Sequence, residues 1–331
     1  MDTTAEFVSP LAPVITRYLS LKTALGRGYR TERQIFRGLD AFLAVDHTTD
    51  LTLDVFERWC LSQTHLKSGI RRSQMRIVRN LCLYRRRTEP DCFVPDPAFF
   101  PPDHQCAPPY LLTEDEVARL IATTAMLYTT SAYPLRAQAI RVAMVLLYTA
   151  GLRRGELIHL SVGDYDERAH TLLIRASKFH KSRLLPLSHD AVVELEAYLS
   201  ARRDSRPDTM TDEAPLIWKG GTAAHGYSGG GFGRVFRNLA RKAGVLKANG
   251  HPPRVHDVRH SFAVHALLRW YREGLEVQAK LPFLSMYMGH VSIASTQYYL
   301  HFVEPLAQAA SERFAHHYGD LLISNTQEDS P

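Results

Sequence analysis

A proline-rich segment divides this chain into two parts. Residues 89–110 hold seven of the 18 prolines in the 331-residue sequence. Because proline fixes φ and has no backbone N–H, such a run disfavours both regular helix and regular strand. A chain of this length commonly forms two domains. We therefore predict a domain at 1–88, a linker at 89–110 and a second domain at 111–331, with a C-terminal tail from about residue 304.

The balance of charges favours an acidic partner. The formal net charge is +6 and the isoelectric point is about 9.1, which is typical of proteins that bind nucleic acid. A merely basic soluble enzyme is the alternative. The four cysteines have neither metal-ligand nor disulfide-framework spacing. No run approaches the roughly 18 apolar residues of a membrane span, and the N-terminus lacks a signal-peptide pattern. We expect a soluble, cytoplasmic protein without a membrane partner.

The first domain is predicted to be all-helical. Apolar residues recur there at the three- and four-residue spacing of amphipathic helices. The segments with this spacing are residues 10–25, 31–44, 53–62 and 67–87. One face of each segment is therefore available for a shared core.

The fourth of these segments carries a cluster of cations. Its predicted core stripe is Ile70, Ile77, Leu81 and Tyr84, and residues 67–87 contain no carboxylate. Clustered arginines neutralise the phosphates of a DNA backbone, whereas a solvated helix face is the alternative interpretation. The basic residues predicted to contact DNA phosphates are Lys67, Arg71, Arg72, Arg76, Arg79 and Arg86.

The second domain is predicted to be mainly helical with a small antiparallel β-sheet. Thr113 and Glu116 have the spacing of a capping box at a helix start. Residues 170–176 and 182–187 are strand-like on either side of a short polar turn, which is typical of a hairpin. Further helical segments are residues 137–151, 232–243 and 256–270.

Two pairs of polar residues in this domain each share a helix face. Arg153 and Glu156 are three residues apart, and so are His256 and Arg259. An Arg–Glu pair taken alone is usually structural. The spacing becomes informative because further basic residues and histidines follow in the chain.

The second of these segments also offers a metal-binding pattern. His256 and His260 have the i, i+4 spacing of a helical zinc site. Asp257 stands where zinc hydrolases have a glutamate base, and an aspartate is about one methylene too short for that role. A zinc site is therefore a weaker interpretation of this segment than the pairing of His256 with Arg259 on one helix face.

A histidine and a tyrosine near the C-terminus, His290 and Tyr299, are nine residues apart. At about 100° per residue they would lie on opposite faces of one continuous helix. They converge only if the helix breaks between them. Ser292 and Ser295 are candidate N-caps for a second helix that carries the tyrosine.

Four motifs, taken in order, resemble the catalytic signature of the tyrosine site-specific recombinases, the phage-integrase family. They are AGLRRGEL at 150–157, SKFHKSRLLPL at 177–187, HDVRHSFA at 256–263, and MGH at 288–290 with YLH at 299–301. The resemblance extends from residue 111 to about residue 314. It implies a mixed α+β catalytic domain, preceded by a helical N-terminal domain similar to that family's core-binding domain.

The resemblance implies six catalytic residues: Arg153, Lys178, His256, Arg259, His290 and Tyr299. It implies that the tyrosine attacks a DNA phosphate and forms a 3′-phosphotyrosine bond, while the arginines and histidines bind that phosphate. The hairpin lysine would protonate the leaving 5′ oxygen, and Glu156 would orient an arginine. The hairpin lacks the glycines usual beside that lysine, so position alone favours Lys178 over Lys181.

The resemblance also implies how the protein works with others. It implies no metal and no nucleotide cofactor, because arginines supply the positive charge and the phosphodiester energy is kept in the covalent intermediate. The expected partner is double-stranded DNA with specific recombination sites, bound by four copies of the chain. A second recombinase or an accessory factor is a further candidate partner. A type IB topoisomerase and a catalytically silent DNA-binding protein are the alternatives.

Overall fold

The structure, a computed structural model, describes residues 6–26, 28–102, 108–175, 182–221 and 225–290, together with positions 292, 296 and 311. The chain divides into two compact units, Met1–Ala107 and Pro108–Pro331. The division falls inside the proline-rich segment.

Four helices build the described part of the first unit. They are α1 (Ala12–Ala24), α2 (Arg30–Val45), α3 (Leu53–Ser62) and α4 (Ser68–Arg85). Each begins and ends within two residues of its predicted segment. Their apolar faces meet in one core around Ile15, Phe36, Leu39 and Trp59, each at most 2% exposed.

The buried side of α4 is rotated relative to the predicted stripe. Ile70 is 48% exposed, so its assignment to the core is wrong. It lies in the first turn of the helix and borders an open groove between α2 and α4. The buried residues of the helix are Met75, Val78, Leu81 and Cys82.

The first half of the proline-rich segment folds onto this helical unit. Phe100 is buried in the core, and Phe93 and Val94 pack against it. The segment has no α-helix among its described residues and only a short 3-10 turn, Pro97–Phe99, yet it still places apolar side chains on the core. The predicted linker at 89–110 is therefore too long, and the first unit continues beyond residue 88.

Two arginines of α4 bind the carbonyls of that segment. Arg72 Nη1 donates to the oxygen of Pro101 at 2.7 Å, and Arg79 Nη1 donates to the oxygen of Pro95 at 2.9 Å. A proline carbonyl remains an acceptor although its nitrogen is not a donor. These two arginines, predicted as phosphate contacts, therefore have a structural function within the unit.

Seven α-helices and three strands, with three short 3-10 turns, form the described part of the second unit. The helices are α5 (Glu114–Thr123), α6 (Arg136–Thr149), α7 (Arg154–His159), α8 (His189–Ser205), α9 (Gly229–Lys242), α10 (Val255–Arg272) and α11 (Val277–Met288). The strands are β1 (Tyr165–Asp166), β2 (Thr171–Ile174) and β3 (Arg183–Pro186), paired antiparallel in the order β1-β2-β3. The predicted fold class, mainly α with a small antiparallel sheet, is confirmed. No helix in the described ranges is long and apolar enough to cross a membrane.

Helix α6 is the centre of the second unit. Eight of its residues are buried, and it packs against α5, α7, α8 and α10. An apolar sequence on all faces is what a helix enclosed by others requires. A separate apolar cluster joins α10 to α11 through residues such as Leu267, Leu281 and Leu284. These contacts fix the starts of α7 and α10 and the end of α11, where the site is built.

Arg79→Ala is expected to loosen the segment after α4. A hydrogen bond from a charged donor contributes about 1.5–3 kcal/mol. The free energy of the local opening that permits amide hydrogen exchange at residues 93–100 should therefore fall by roughly that amount, and exchange there should be faster. The neighbouring Arg76 is exposed and provides the matched variant. Equal exchange rates in Arg76→Ala and Arg79→Ala would contradict the structural function of Arg79.

Candidate active site

A tight turn before α7 positions Arg153. Gly151 has a φ of +57°, a left-handed conformation that favours glycine. A Cβ at this position would lie 2.4 Å from the ring of Phe262 on α10, so the turn also requires the absence of a side chain. Two residues later, Arg153 is the N-cap of α7, and its backbone N–H donates to Glu156 Oε2 at 2.9 Å.

Arg153 and Arg259 reach the same short stretch of backbone from different helices. Arg153 Nη2 donates to the oxygen of Gly289 at 2.7 Å, across 136 residues of sequence. Arg259, in the first turns of α10, is 1% exposed. Its Nη2 donates to the oxygen of Met288 at 2.6 Å, and its Nη1 donates to the oxygen of Gly151. The two arginines therefore connect the turn before α7 to the end of α11.

A third arginine completes this set. Arg183, the first residue of β3, donates from Nε to the oxygen of Tyr287 at 3.0 Å. Three guanidinium groups thus bind three consecutive carbonyls, at residues 287–289. The last carbonyls of a helix have no partner within it and form the negative end of its dipole. The end of α11 is therefore a natural acceptor for this cluster of cations.

Glu156 is the carboxylate at the centre of the three arginines. Its Oε1 accepts from Arg153 Nη1 at 2.7 Å, and both of its oxygens accept from Arg183 at 3.0 Å. Arg259 Nη1 lies 3.9 Å from Oε2. Burial alone raises the pKa of Glu156, but the hydrogen bonds from Arg183 and Arg153 outweigh burial and lower the pKa to about 2. The carboxylate is therefore negatively charged at any physiological pH.

Gly289 ends α11 in a left-handed conformation with a φ of +67°. A Cβ at this position would lie 2.6 Å from Arg183 Nη1, so the guanidinium lies directly on the glycine. The backbone N–H of His290 donates to the oxygen of Ser285 at 2.9 Å, which closes the helix end. This turn sets the direction in which His290 leaves the helix.

His290 is a partly buried, neutral histidine. Its Nδ1 shares a hydrogen bond of 2.7 Å with the hydroxyl of Thr296, a residue with 0% exposure. Burial, followed by the positive charges of Arg259 and Arg153, lowers the pKa of His290 to about 3. A neutral imidazole can donate one hydrogen bond and accept another.

His256 lies in the first turn of α10, three residues before Arg259. Its ring is on the exposed side of the helix, yet desolvation and then the charge of Arg259 lower its pKa. The ring of His260 packs edge-on against it, with centroids 4.6 Å apart. Among the described residues, no third His, Cys, Asp or Glu joins these two histidines in a group that could hold a metal ion.

The structure thus brings together four of the predicted site residues, Arg153, Glu156, Arg259 and His290. Arg153 donates to Glu156, Arg259 lies 3.9 Å from it, and both arginines donate to the two backbone carbonyls directly before His290. His256 belongs to the same electrostatic environment, because its pKa responds to Arg259 and Arg153. Lys178 and Tyr299 lie outside the described residues, so their assignments stay predictions. Sequence analysis missed Arg183, although it lies inside the motif at 177–187. The only signal was a basic residue at the first position of an apolar strand.

The family of this chain follows from its similarity to known proteins. The sequence model described as the Phage integrase family matches residues 111–304, which is more than half of the chain and includes all four motifs. The family match and the relatives are those of a tyrosine recombinase, an enzyme of DNA recombination. The chain belongs to the phage integrase family.

Individual relatives agree with this assignment. The chain is 29% identical over 315 residues to the putative integrase/recombinase y4rB of Sinorhizobium fredii (strain NBRC 101917 / NGR234), covering 95% of this chain and 99% of that protein. It is 32% identical over 196 residues to tyrosine recombinase XerD of Listeria monocytogenes serotype 4b (strain F2365), covering 58% of each.

Two solved structures have a similar fold. The XerH site-specific recombinase bound to palindromic difH substrate aligns with a TM-score of 0.62 and 15% identity, over 86% of this chain and 79% of that one. The Tn1549 transposon integrase in complex with transposon right end DNA aligns with a TM-score of 0.59 and 18% identity, over 91% and 99%. At these identities the similarity is one of fold.

Acidification is expected to destabilise the second unit through its neutral histidines. The pKa values of His290 and His260 in the folded chain, about 3 and about 4, lie below their ordinary value of 6.5. The unfolded state therefore binds more protons between these values. The contribution of these two histidines to the free energy of unfolding is fully present above about pH 6.5. It is lost as the pH falls, by at most about 1.4 kcal/mol per pH unit for each histidine.

Circular dichroism melts between about pH 7 and about pH 5 test this dependence. The midpoint of His290→Gln should fall less steeply with acidification than that of the unsubstituted chain. His251, which is exposed, provides the matched variant His251→Gln. Identical profiles for all three proteins would contradict the burial assigned to His290.

Proposed function

We propose that this chain is a site-specific DNA recombinase or integrase that acts in the cytoplasm. It cleaves and rejoins double-stranded DNA through a 3′-phosphotyrosine bond formed by Tyr299, without metal or ATP. The observation that carries this proposal is the convergence of Arg153 and Arg259 on the end of α11, directly before His290. Two fixed cations and two neutral histidines around one turn suit the binding of a phosphodiester.

Arg153 and Arg259 stabilise the charge that develops on the non-bridging oxygens during transfer. A guanidinium keeps its proton in proteins and matches the geometry of phosphate oxygens. Arg259 is almost completely removed from water, and charge–charge attraction is strongest in such a low-dielectric place. Because backbone carbonyls position both groups in advance, little reorganisation is required at the moment of reaction.

The two histidines supply proton transfer and hydrogen bonds. The lowered pKa of His256 keeps it neutral near pH 7, so it accepts the proton of the tyrosine hydroxyl, whose ordinary pKa is about 10. Its exposure at the start of α10 gives it access to a bound substrate. His290 donates a hydrogen bond to the phosphate while Thr296 orients its ring.

The transfer step balances without a cofactor. The oxygen of Tyr299 forms a bond to phosphorus, and the bond from phosphorus to the 5′ oxygen breaks. Lys178 gives a proton to that oxygen, which leaves as a hydroxyl. The phosphotyrosine keeps the energy of the phosphodiester, so rejoining by a DNA 5′ hydroxyl requires no nucleotide. The positive charge that a metal would supply comes from the arginines.

DNA is the proposed partner, and four copies of the chain act on two sites. The net charge of +6 suits a polyanion. Of the two similar folds, XerH is bound to difH substrate and the Tn1549 integrase is in complex with transposon right end DNA. The DNA-binding set proposed for α4 is divided by its contacts. Lys67, Arg76 and Arg86 are exposed and suit phosphates directly, and Arg71 is half-buried beside them. Arg72 and Arg79 act by stabilising residues 95–101.

The nucleophile is tested with a nicked suicide duplex that traps the covalent intermediate. Its sequence comes from selection of bound duplexes out of a random pool. The unsubstituted chain and Tyr298→Phe should both form a covalent adduct. Tyr299→Phe should form none, because it lacks the attacking hydroxyl and because, on the predicted helix, Tyr298 would point about 100° away from Tyr299. An adduct in Tyr299→Phe would overturn the assignment. Adducts on any plasmid regardless of sequence would favour the topoisomerase alternative.

The general acid is tested by changing the leaving atom. Lys178→Ala should slow cleavage by roughly 10²–10⁴-fold, the usual contribution of general acid–base catalysis. A duplex with sulfur in place of the 5′ bridging oxygen requires no proton and should restore most of the rate. Lys181→Ala is the matched variant and should cleave both substrates at the unsubstituted rate. Rescue confined to Lys181→Ala would assign the general acid to Lys181.

A further inference from the structure

All three guanidinium nitrogens of Arg183 donate hydrogen bonds to described residues. Its side chain is 12% exposed. Nη1 and Nη2 donate to the two oxygens of Glu156, each at 3.0 Å, and Nε donates to the oxygen of Tyr287 at 3.0 Å. A planar guanidinium held on two sides in this way has one orientation only. A side chain held in this way can fix the positions of the groups that contact it.

The neighbours of Arg183 are the groups that set the position of His290. The guanidinium lies against Gly289, where any Cβ would be 2.6 Å from Nη1. A second contact joins the far end of the same strand to α11, since the hydroxyl of Tyr287 donates to the oxygen of Pro186 at 3.1 Å. Strand β3 is therefore tied to the last turn of α11 at both of its ends.

Arg183 also determines how the single carboxylate is shared. Glu156 Oε1 accepts from Arg153 and Arg183, and Oε2 accepts from the backbone of Arg153 and from Arg183. Arg259 stays 3.9 Å away and donates instead to Gly151 and Met288. Removing Arg183 leaves a buried carboxylate with unmet acceptor sites, which strongly attracts the nearest cation. Besides Arg153, which already donates to the carboxylate, that cation is Arg259, 3.9 Å away.

We propose that Arg183 is a positioning residue of the recombination reaction. It holds Glu156 and the Gly289 turn so that Arg153, Arg259 and His290 face one phosphate, and it keeps Arg259 from pairing with the carboxylate. The inference rests on the proposed function. Arg183 acts through these residues and does not itself touch the reacting atoms.

The test is the single-turnover rate of covalent adduct formation at saturating protein, measured beside the affinity for the same duplex. Arg183→Ala should lower the rate by roughly 10–100-fold, the scale of a misplacement of about 1 Å, and change the affinity by less than about 3-fold. Arg183→Lys should restore part of the rate only, because an ammonium cannot bind both carboxylate oxygens and the carbonyl in one plane. Where Arg183→Ala fails to fold, Arg183→Lys carries the test in the same direction.

A double-mutant cycle separates positioning from general stability. Because part of the proposed effect of Arg183 is exerted through the turn before His290, Arg183→Ala should lower the rate by a clearly smaller factor in a His290→Ala background than in the unsubstituted chain. A merely structural residue would lower the rate by the same factor in both backgrounds. Arg141→Ala is the matched variant, since it removes another arginine–carboxylate pair, with Glu194 on α8, and should keep the unsubstituted rate.

The outcomes distinguish the inference from the function on which it rests. If the unsubstituted chain forms no adduct, the proposed function is wrong, and this inference with it. If the unsubstituted chain forms an adduct and Arg183→Ala forms it at the same rate, or if the two losses multiply fully in the double variant, only the inference about Arg183 is wrong.

Discussion

One buried carboxylate organises the catalytic unit. Glu156 pairs with Arg153 and Arg183 and lies 3.9 Å from Arg259. Three guanidiniums this close would repel each other and would be costly to remove from water without a compensating charge. The second source of negative potential is the end of α11, whose last carbonyls accept from the same three arginines. Together, Glu156 and the carbonyls at the end of α11 stabilise the three arginines in fixed positions.

The same interactions connect segments that are far apart in sequence. Arg259 binds the carbonyl of Gly151, two residues before Arg153, and Arg153 binds the carbonyl of Gly289, one residue before His290. Both glycines have left-handed φ angles, and other side chains occupy the space of their missing Cβ atoms. The two turns are therefore as much a part of the site as the charged groups. A residue with a side chain at either turn would displace Phe262 or Arg183.

Several elements show where sequence patterns are sufficient and where they are not. Periodicity located the four helices of the first unit to within two residues, and it located α6 of the second unit, predicted at residues 137–151, equally closely. Helix α11 was not predicted, because Pro282 lies inside it. Burial of Leu281 and Leu284 against α10 outweighs the cost of that proline. Likewise, the pattern of α4 recorded a basic face but not that Arg72 and Arg79 bind the carbonyls of a segment that follows it.

The sequence by itself determined the kinds and order of the reactive residues, the helical character of both units and the family to which the chain belongs. Those properties follow from local spacing, which records the residue types and the face of each helix that is apolar. Only the tertiary structure decided which arginines meet at Glu156, that Arg183 is among them, and that Ile70 faces outward while Phe100 is buried. Hydrogen-bond partners and burial depend on segments that are distant in sequence, 136 residues away in the case of Arg153 and Gly289. A local sequence pattern carries no information about such partners.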